Sequence, residues 1–375
     1  MKINIASFWD PLSPKSWSGT PYNICRELQR INLLGDCIES GRLDRYVKRA
    51  LTLLSSFYYG SSHYMERGAL LRYARSYTVR KRIERNRGET QHTLHLGTLD
   101  LPFLRLPENQ KQYLFCDTTW NLWARHSTEM SGFKGRLLRD AERLDKKAYH
   151  QMSHIFSISN YVKENLISHY GIRPERISVV GTGRGIVKAY YGKKDYTNGH
   201  ILFAAKGRFE DKGGKLVLEG FKIANRSNPK LSLIIVGADN YKKTIPGIPN
   251  TTVYGFVSVE KLQELFDTSS LFVMPAINEP WGLVYLEALS CRIPIIGLNR
   301  NSFPEISQNG RYGFILDNEN PEQLADIILR AYKNPEQLEN MGLQGQGYCL
   351  SNFSWEKTVK IIADTILNDR QTNRE

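Results

Sequence analysis

The chain reads as an α/β protein built from two parallel-sheet domains in tandem, and three observations predict this. Its 375 residues exceed one ordinary core, and two domains of roughly 150–200 residues are the natural division. In the second half, short apolar or β-branched runs recur: HILFAA (200–205), LSLIIVG (231–237), TTVYG (251–255), SLFVMP (270–275), IPIIG (293–297) and GFIL (313–316). Helical patterns such as GKLVLEGFKIANR (214–226) and VEKLQELFDTS (259–269) separate most of them. Uninterrupted apolar strands alternating with helices are what a parallel sheet covered on both faces requires.

The first half follows the same rhythm. INIASF opens it, a helix is expected from about Pro21, and QYLFC (112–116), HIFSIS (154–159) and ISVVG (177–181) read as later strands. Glycines and charges break the periodicity in GTGRGIVKAYYGKKD (181–195), which places the hinge. The expected division is 1–185, 186–350 and a closing helix over 351–375. In that helix Trp355, Val359, Ile362 and Ile366 share a side.

Residues 38–90 interrupt the rhythm as a helical insertion. Leu43, Tyr46, Val47, Ala50, Leu51, Leu54 and Phe57 fall at helical spacing, with Arg42, Arg45, Lys48 and Arg49 mostly on the other side. A second basic helix follows over 70–87. Between residues 41 and 90 there are 12 basic and 4 acidic side chains. Two readings stay open: a solvated insertion packed on the core, or an interfacial helix pair on an anionic membrane surface.

Charge distribution narrows the partners. The formal charge is +13; residues 1–190 hold 30 basic and 17 acidic residues, and the remainder 21 of each, so all the excess lies in the first half. Such a surface attracts polyanions, whether nucleic acid, anionic lipid or phosphorylated substrate. The five cysteines (Cys25, Cys37, Cys116, Cys291, Cys349) form no Cys-x-x-Cys pair, so neither a disulfide framework nor a zinc site is expected. No signal-peptide pattern and no membrane-spanning run is read, and a cytoplasmic location, peripheral on the membrane in the interfacial reading, is the expectation.

The chemistry centres on MPAINEPWGLVYLEAL (274–289), an apolar segment with two carboxylates. Glu279 precedes Pro280 and is therefore expected in the loop after a strand. Pro280 can open the next helix, and Gly282 allows close backbone approach. Glu287 would lie in that helix's first two turns, so both acids are expected at the carboxyl edge of the sheet, where open α/β sheets bind ligands. Free N–H groups at a helix start suit a phosphate. AAKGRFEDKGG (204–214) supplies positive charge: Arg208 and Lys212 straddle a turn ending in two glycines. The loop matches no Walker A or dinucleotide fingerprint. Taken singly, each of these features also fits an ordinary helix-start acid or a solvated loop.

Together with ISNYVKENLISHYGIRPERISVVGTG, YGFVSVEKLQELF, FPEISQNGRYGFIL and FSWEKTVKIIADTIL, these stretches resemble the retaining family 4 glycosyltransferases. The resemblance implies the GT-B fold, two Rossmann-like domains facing each other across a cleft, with the last helix crossing back to the first domain. It implies that Arg208 and Lys212 neutralise the departing diphosphate and that Glu279 holds donor-sugar hydroxyls. Backbone N–H groups of Gly282 and Leu283 would meet sugar or phosphate, and Glu287 the ribose. Gly19 of WSGTPYN would lie close to the donor phosphates, with Thr20 as N-cap and Pro21 at the first helical position. A UDP- or GDP-sugar donor and no metal or other cofactor are implied, as is attack from the face of the leaving phosphate.

Many relatives carry a histidine after a middle strand of the first domain. Here that strand ends in Cys116-Asp117, so Asp117 is the candidate for its place, with His126 as another; His92 and His95 are expected to line the cleft as well. A membrane-associated or cell-envelope glycan, including a lipid-linked one, is the expected acceptor; no nucleic acid partner is expected. A soluble sugar or sugar-phosphate acceptor, a GT-B phosphorylase or epimerase, and a basic binding protein with a relic sugar site are the alternatives.

Overall fold

A computed structural model describes residues 2–369 apart from 61–63, 86–91, 128–129, 131–132, 134 and 246. The chain divides into two compact units, Met1–Gly183 with Trp355–Glu375, and Arg184–Ser354.

The first unit runs β1 (Ile3–Ser7), α1 (Thr20–Arg30), β2 (Leu34–Glu39), α2 (Arg45–Tyr59), α3 (Ala69–Arg85), β3 (His92–Leu96) and β4 (Lys111–Cys116). It continues with α4 (Trp120–His126), α5 (Gly135–Gln151), β5 (His154–Ser157), α6 (Asn160–Ser168) and β6 (Ile177–Val179). The described strands pair in the order β2-β1-β3-β4-β5-β6, each pair parallel. The second unit holds β7 (His200–Ala205), α7 (Gly214–Ser227), β8 (Ser232–Gly237), α8 (Tyr241–Thr244), β9 (Thr251–Tyr254), α9 (Val259–Thr268) and β10 (Leu271–Val273). Then come α10 (Leu283–Ser290), β11 (Ile295–Leu298), α11 (Phe303–Ile306), β12 (Gly313–Leu316), α12 (Pro321–Lys333) and α13 (Pro335–Asn352). Its order is β12-β11-β10-β7-β8-β9, again parallel throughout. That is the dinucleotide-fold order read from the other edge, and its strand order reverses between β7 and β10. The closing helix α14 (Trp355–Asn368) belongs to the first unit, where Trp355 packs against Gly183 and Arg30 pairs with Glu356.

Strands and caps follow the sequence rules. β1 and β3 are buried at every position, as a sheet covered on both faces requires. Side-chain oxygens of Asp44, Thr119, Ser159, Ser258, Asn320 and Asn334 cap α2, α4, α6, α9, α12 and α13, taking up N–H groups that the helices cannot satisfy.

Two strands were not legible in the sequence. β2 is an edge strand, mostly half-buried, with LGDCIE in place of an apolar run. β3 carries His92, Thr93 and His95 inside the sheet, so its polarity hides it. Because β2 extends to Glu39, the insertion's first helix begins at Arg45, and the insertion does not begin at 38. The expected N-cap at Thr20 is also corrected: Thr20 has helical dihedrals, and Gly19 at φ 81° stands at the cap position.

The insertion is held by charge as much as by apolar packing. On α3 the Arg72 guanidinium is fully buried; it donates to the carbonyls of Leu101 (2.6 Å) and Thr98 (2.8 Å) and meets Asp145 of α5 at 2.7 Å. Arg75, also buried, reaches the Glu66 and Leu99 carbonyls and lies over the Phe8 ring. α2 is tied down at its end, where Tyr59 donates to Asp140 and accepts from the Ala69 N–H. Leu43 and Leu51 pack on a small core that includes Tyr59, Leu71 and Trp120. The rest of the expected apolar face does not reach the core: Tyr46, Val47, Leu54 and Phe57 are 79, 48, 57 and 92% exposed.

Removing one partner of a buried ion pair leaves an uncompensated charge, at a cost of about 3–5 kcal/mol. Arg72→Met should therefore lower the first unit's unfolding free energy by that order, read as a fall in its urea midpoint. Arg330→Ala, at the exposed Arg330–Asp326 pair, should leave the second unit's midpoint unmoved. Equal effects from the two substitutions would refute this account of the insertion.

Candidate active site

The reversal point of the second sheet sets the site's position. β7 and β10 are neighbours there, and the loops leaving their carboxyl ends, 206–213 and 274–282, are laced together. The Ile277 and Asn278 N–H groups both donate to the Asp211 carbonyl, at 2.8 and 3.2 Å. Gly213, at φ 78°, lies so close to the Pro275 carbonyl that a Cβ there would collide with it. Glycine is required on both counts.

Arg208 sits in this seam with φ 55°, left-handed for a non-glycine residue. Its guanidinium is part-exposed, paired with Asp211 at 2.9 Å and donating to the Asn278 carbonyl at 2.8 Å. Lys212 reaches across the seam, and its ammonium forms an ion pair with the Glu279 carboxylate, both side chains being largely shielded. Burial first, and Arg208 second, push the Lys212 ammonium down to about 7, with Asp211 opposing them. The four residues 208, 211, 212 and 279 thus make one alternating charge cluster.

From Glu279 the chain turns through Pro280 and Gly282 into α10. Gly282 is the N-cap, at φ 86°; a Cβ on it would meet the Tyr285 ring at 2.7 Å. Leu283 is the first helical residue and half-buried. The Tyr285 hydroxyl donates to the Met274 carbonyl and the Ser302 hydroxyl to the Pro280 carbonyl, so the turn is fixed on both sides. Glu287 lies one turn further on and is buried. Its Oε1 accepts from the N–H groups of Ile186 (2.8 Å) and Val187 (3.3 Å). Burial pushes its carboxyl up to about 7 against the effect of those two donors. Glu279 and Glu287 therefore have different partners: the first bonds across the seam, the second fastens the 185–187 segment to α10.

The remaining candidates lie on the first unit. Trp17, Ser18 and Gly19 are consecutive left-handed residues, at φ 43°, 54° and 81°. Each non-glycine residue so held costs on the order of 1–3 kcal/mol and persists only where surroundings impose it. Here the Asn23 amide donates to the Gly19 carbonyl, and the Trp17 ring packs edge-on against Phe115 of β4. Asp117 follows β4 directly. It is half-buried, accepts from the Thr118 N–H at 2.9 Å, and burial pushes its carboxyl up to about 6, with Thr118 and Arg67 opposing. Such a carboxyl can carry or release a proton near neutrality.

The histidine candidates fare differently. His95 is fully buried between Asp100 (2.7 Å) and Gln112 (2.9 Å), and His92 is buried against the Tyr113 hydroxyl. Both serve the interior of the sheet, which corrects the expectation that they line a cleft. The His126 side chain lies outside the described residues. Sequence reasoning overlooked Asp211, although it stands within RFEDKGG between the two bases, and Asn278, whose carbonyl receives Arg208. Among the described residues, no group of three or more His, Cys, Asp or Glu is placed to hold a metal ion, and no helix is long and apolar enough to cross a membrane.

Comparison with known proteins puts names to the two units. Residues 61–184 match the family described as Glycosyltransferase Family 4, and residues 192–348 the one described as Glycosyl transferases group 1. The chain is 24% identical over 255 residues to spore coat protein SA of Bacillus subtilis, covering 60% of this chain and 66% of that protein. It is 23% identical over 218 residues to a GDP-mannose-dependent α-(1-6)-phosphatidylinositol monomannoside mannosyltransferase of Mycolicibacterium smegmatis, covering 54% of this chain and 56% of that one. The chain thus spans about two thirds of the one relative and just over half of the other. In fold it resembles WaaG, a glycosyltransferase involved in lipopolysaccharide biosynthesis, with a TM-score of 0.69 at 13% identity over 97% of this chain and 99% of that one. Two adjoining glycosyltransferase matches, one on each parallel-sheet unit, place the chain in the family 4 glycosyltransferases of the GT-B fold.

Proposed function

We propose that this glycosyltransferase moves a sugar, with retention of configuration, from a UDP- or GDP-sugar to a hydroxyl of a membrane-associated or cell-envelope glycan. One observation carries the reading: the Lys212–Glu279 ion pair, with Arg208 beside it, at the reversal point of the second sheet. Without donor, the pair spares each group the cost of a lone buried charge. A nucleotide sugar would exchange partners with it. The diphosphate takes Lys212 and Arg208, and the donor-sugar hydroxyls take Glu279. The Gly282 and Leu283 N–H groups, at the start of α10, face the sugar or phosphate.

Glu287 takes the ribose hydroxyls in this scheme. Its Oε1 is committed to Ile186 and Val187, so Oε2 is the acceptor for the ribose. The acceptor hydroxyl attacks from the face the diphosphate leaves, and the departing phosphate oxygen takes its proton. Arg208 and Lys212 stabilise the charge that develops on that leaving group, and the reading needs no metal ion.

The acceptor reading rests on α2. Tyr46, Ala50, Leu53, Leu54 and Phe57 form an exposed stripe at helical spacing along its outer side, and Arg45 and Arg49 are exposed beside it. Apolar groups backed by arginines complement an anionic lipid surface. Arg72 and Arg75 contribute nothing to this surface, because both are buried. The mannosyltransferase relative, whose name specifies a phosphatidylinositol mannoside, supports a lipid-linked acceptor.

Three outcomes test this reading. Glu279→Ala and Lys212→Ala should each lower transfer about 100-fold or more with the circular dichroism spectrum retained, using a donor found by a thermal-shift screen of UDP-, GDP- and ADP-sugars. Wild-type turnover in either variant would overturn the assignment. Glu287 has a folded-state pKa of about 7 against an ordinary 4.5, so its stabilising contribution is full below 4.5 and lost as pH rises through 7. Glu287→Gln keeps an oxygen for Ile186 and Val187. It should be more stable than wild type above pH 7, by up to roughly 3 kcal/mol, with the gain shrinking toward pH 5, and its nucleotide-sugar affinity should be lower. A pH-independent difference would contradict the desolvation account. Finally, Leu54→Glu with Phe57→Glu should weaken co-sedimentation with phosphatidylglycerol vesicles at low salt at least tenfold. If wild type ignores the vesicles, or the stripe mediates self-association by light scattering, the lipid reading fails.

A further inference from the structure

Two of the free cysteines are neighbours in space. Cys25 is buried on α1 and Cys37 half-buried on the edge strand β2, and their sulfurs stand 3.8 Å apart. Cys37 also lines a cavity of about 490 Å³ with Asp36, Arg82 and Arg85; both arginines are exposed on the last turns of α3. A small oxidant therefore has a way to Cys37 and none comparable to Cys25. The thiols differ in character as well. The contact between the two sulfurs holds the Cys37 thiol below its ordinary value; the same contact, then burial, push Cys25 up. A disulfide needs sulfurs about 2.05 Å apart, so the pair has under about 2 Å to close.

We propose that Cys25 and Cys37 form a peroxide-sensitive dithiol, with Cys37 the sulfur oxidised first and Cys25 the resolving one. The Cys37 thiolate attacks hydrogen peroxide; an S–O bond forms, the O–O bond breaks, and the departing hydroxide takes a proton to leave as water. Cys37, oxidised by two electrons, is then a sulfenic acid. The Cys25 sulfur attacks it as its own proton is lost, the S–S bond forms, and the sulfenic hydroxyl leaves as a second water. Two thiols and one peroxide thus give one disulfide and two waters. The bond ties α1, the helix capped by Gly19, to the edge of its sheet. Burial, Asp36 and Asp10 all oppose the Cys37 thiolate, so the contact with Cys25 is what favours it. The inference stands on this pair alone and does not depend on the transfer reaction.

Peptide mapping of the full-length protein reads the result directly, because Arg26 and Arg30 provide tryptic sites between the two cysteines. After stoichiometric hydrogen peroxide, peptide 16–26 should appear joined to peptide 31–42, with the joined species lost on reduction. Cys25→Ser should instead accumulate a dimedone-trapped sulfenic acid at Cys37. Cys37→Ser should slow the oxidation of Cys25 at least tenfold. Recovery of both peptides with free thiols from wild type would overturn the proposal, as would equal oxidation rates of Cys25 in wild type and Cys37→Ser. The wild-type map alone decides the question if either variant does not fold.

Discussion

The Lys212–Glu279 ion pair is the interaction around which the second unit's ligand edge is organised. Its two members come from loops that leave neighbouring strands at the point where the strand order reverses. Elsewhere in a parallel sheet, successive loops are carried away by their helices; here they face one another. The backbone bonds to Asp211, the side-chain arm of Arg208 and the closeness at Gly213 all keep the pair in register. An anionic and a cationic group held together in this way remain neutral as a pair while each stays available to a ligand with the opposite requirement. A nucleotide sugar, which joins a dianion to a polyol, has both requirements in one molecule.

The parallel architecture was legible because covered strands must be continuously apolar. HILFAA, LSLIIVG and GFIL carry that signal without ambiguity. It faded where the sheet is least buried or most polar: β2 at the edge, and β3, whose histidines find partners inside. Periodicity identified α2 as amphipathic but not which way it faces, because its anchoring runs through Tyr59 and Asp44 rather than through its apolar stripe.

Residue types in Arg208, Lys212 and Glu279 were enough to bring the two loops after β7 and β10 together on paper. What the sequence withheld was pairing. The spacing of Glu279 and Glu287 invites symmetrical roles, yet one is committed to a lysine and the other to two backbone N–H groups. Asp211 escaped notice for a related reason: an acid between two bases looks like local charge balance until its carbonyl and carboxylate are seen serving different partners.

The contact between Gly213 and Pro275 has a further bearing on how such a scaffold diversifies. The spacing of the two loops is set by main chain meeting main chain, where no substitution is tolerated. Side chains that project from those loops can consequently be exchanged without altering the gap they flank. A lineage could drift from one sugar to another through such exchanges while inheriting the gap unchanged, so the site's tolerance for novelty rests on a position that has none.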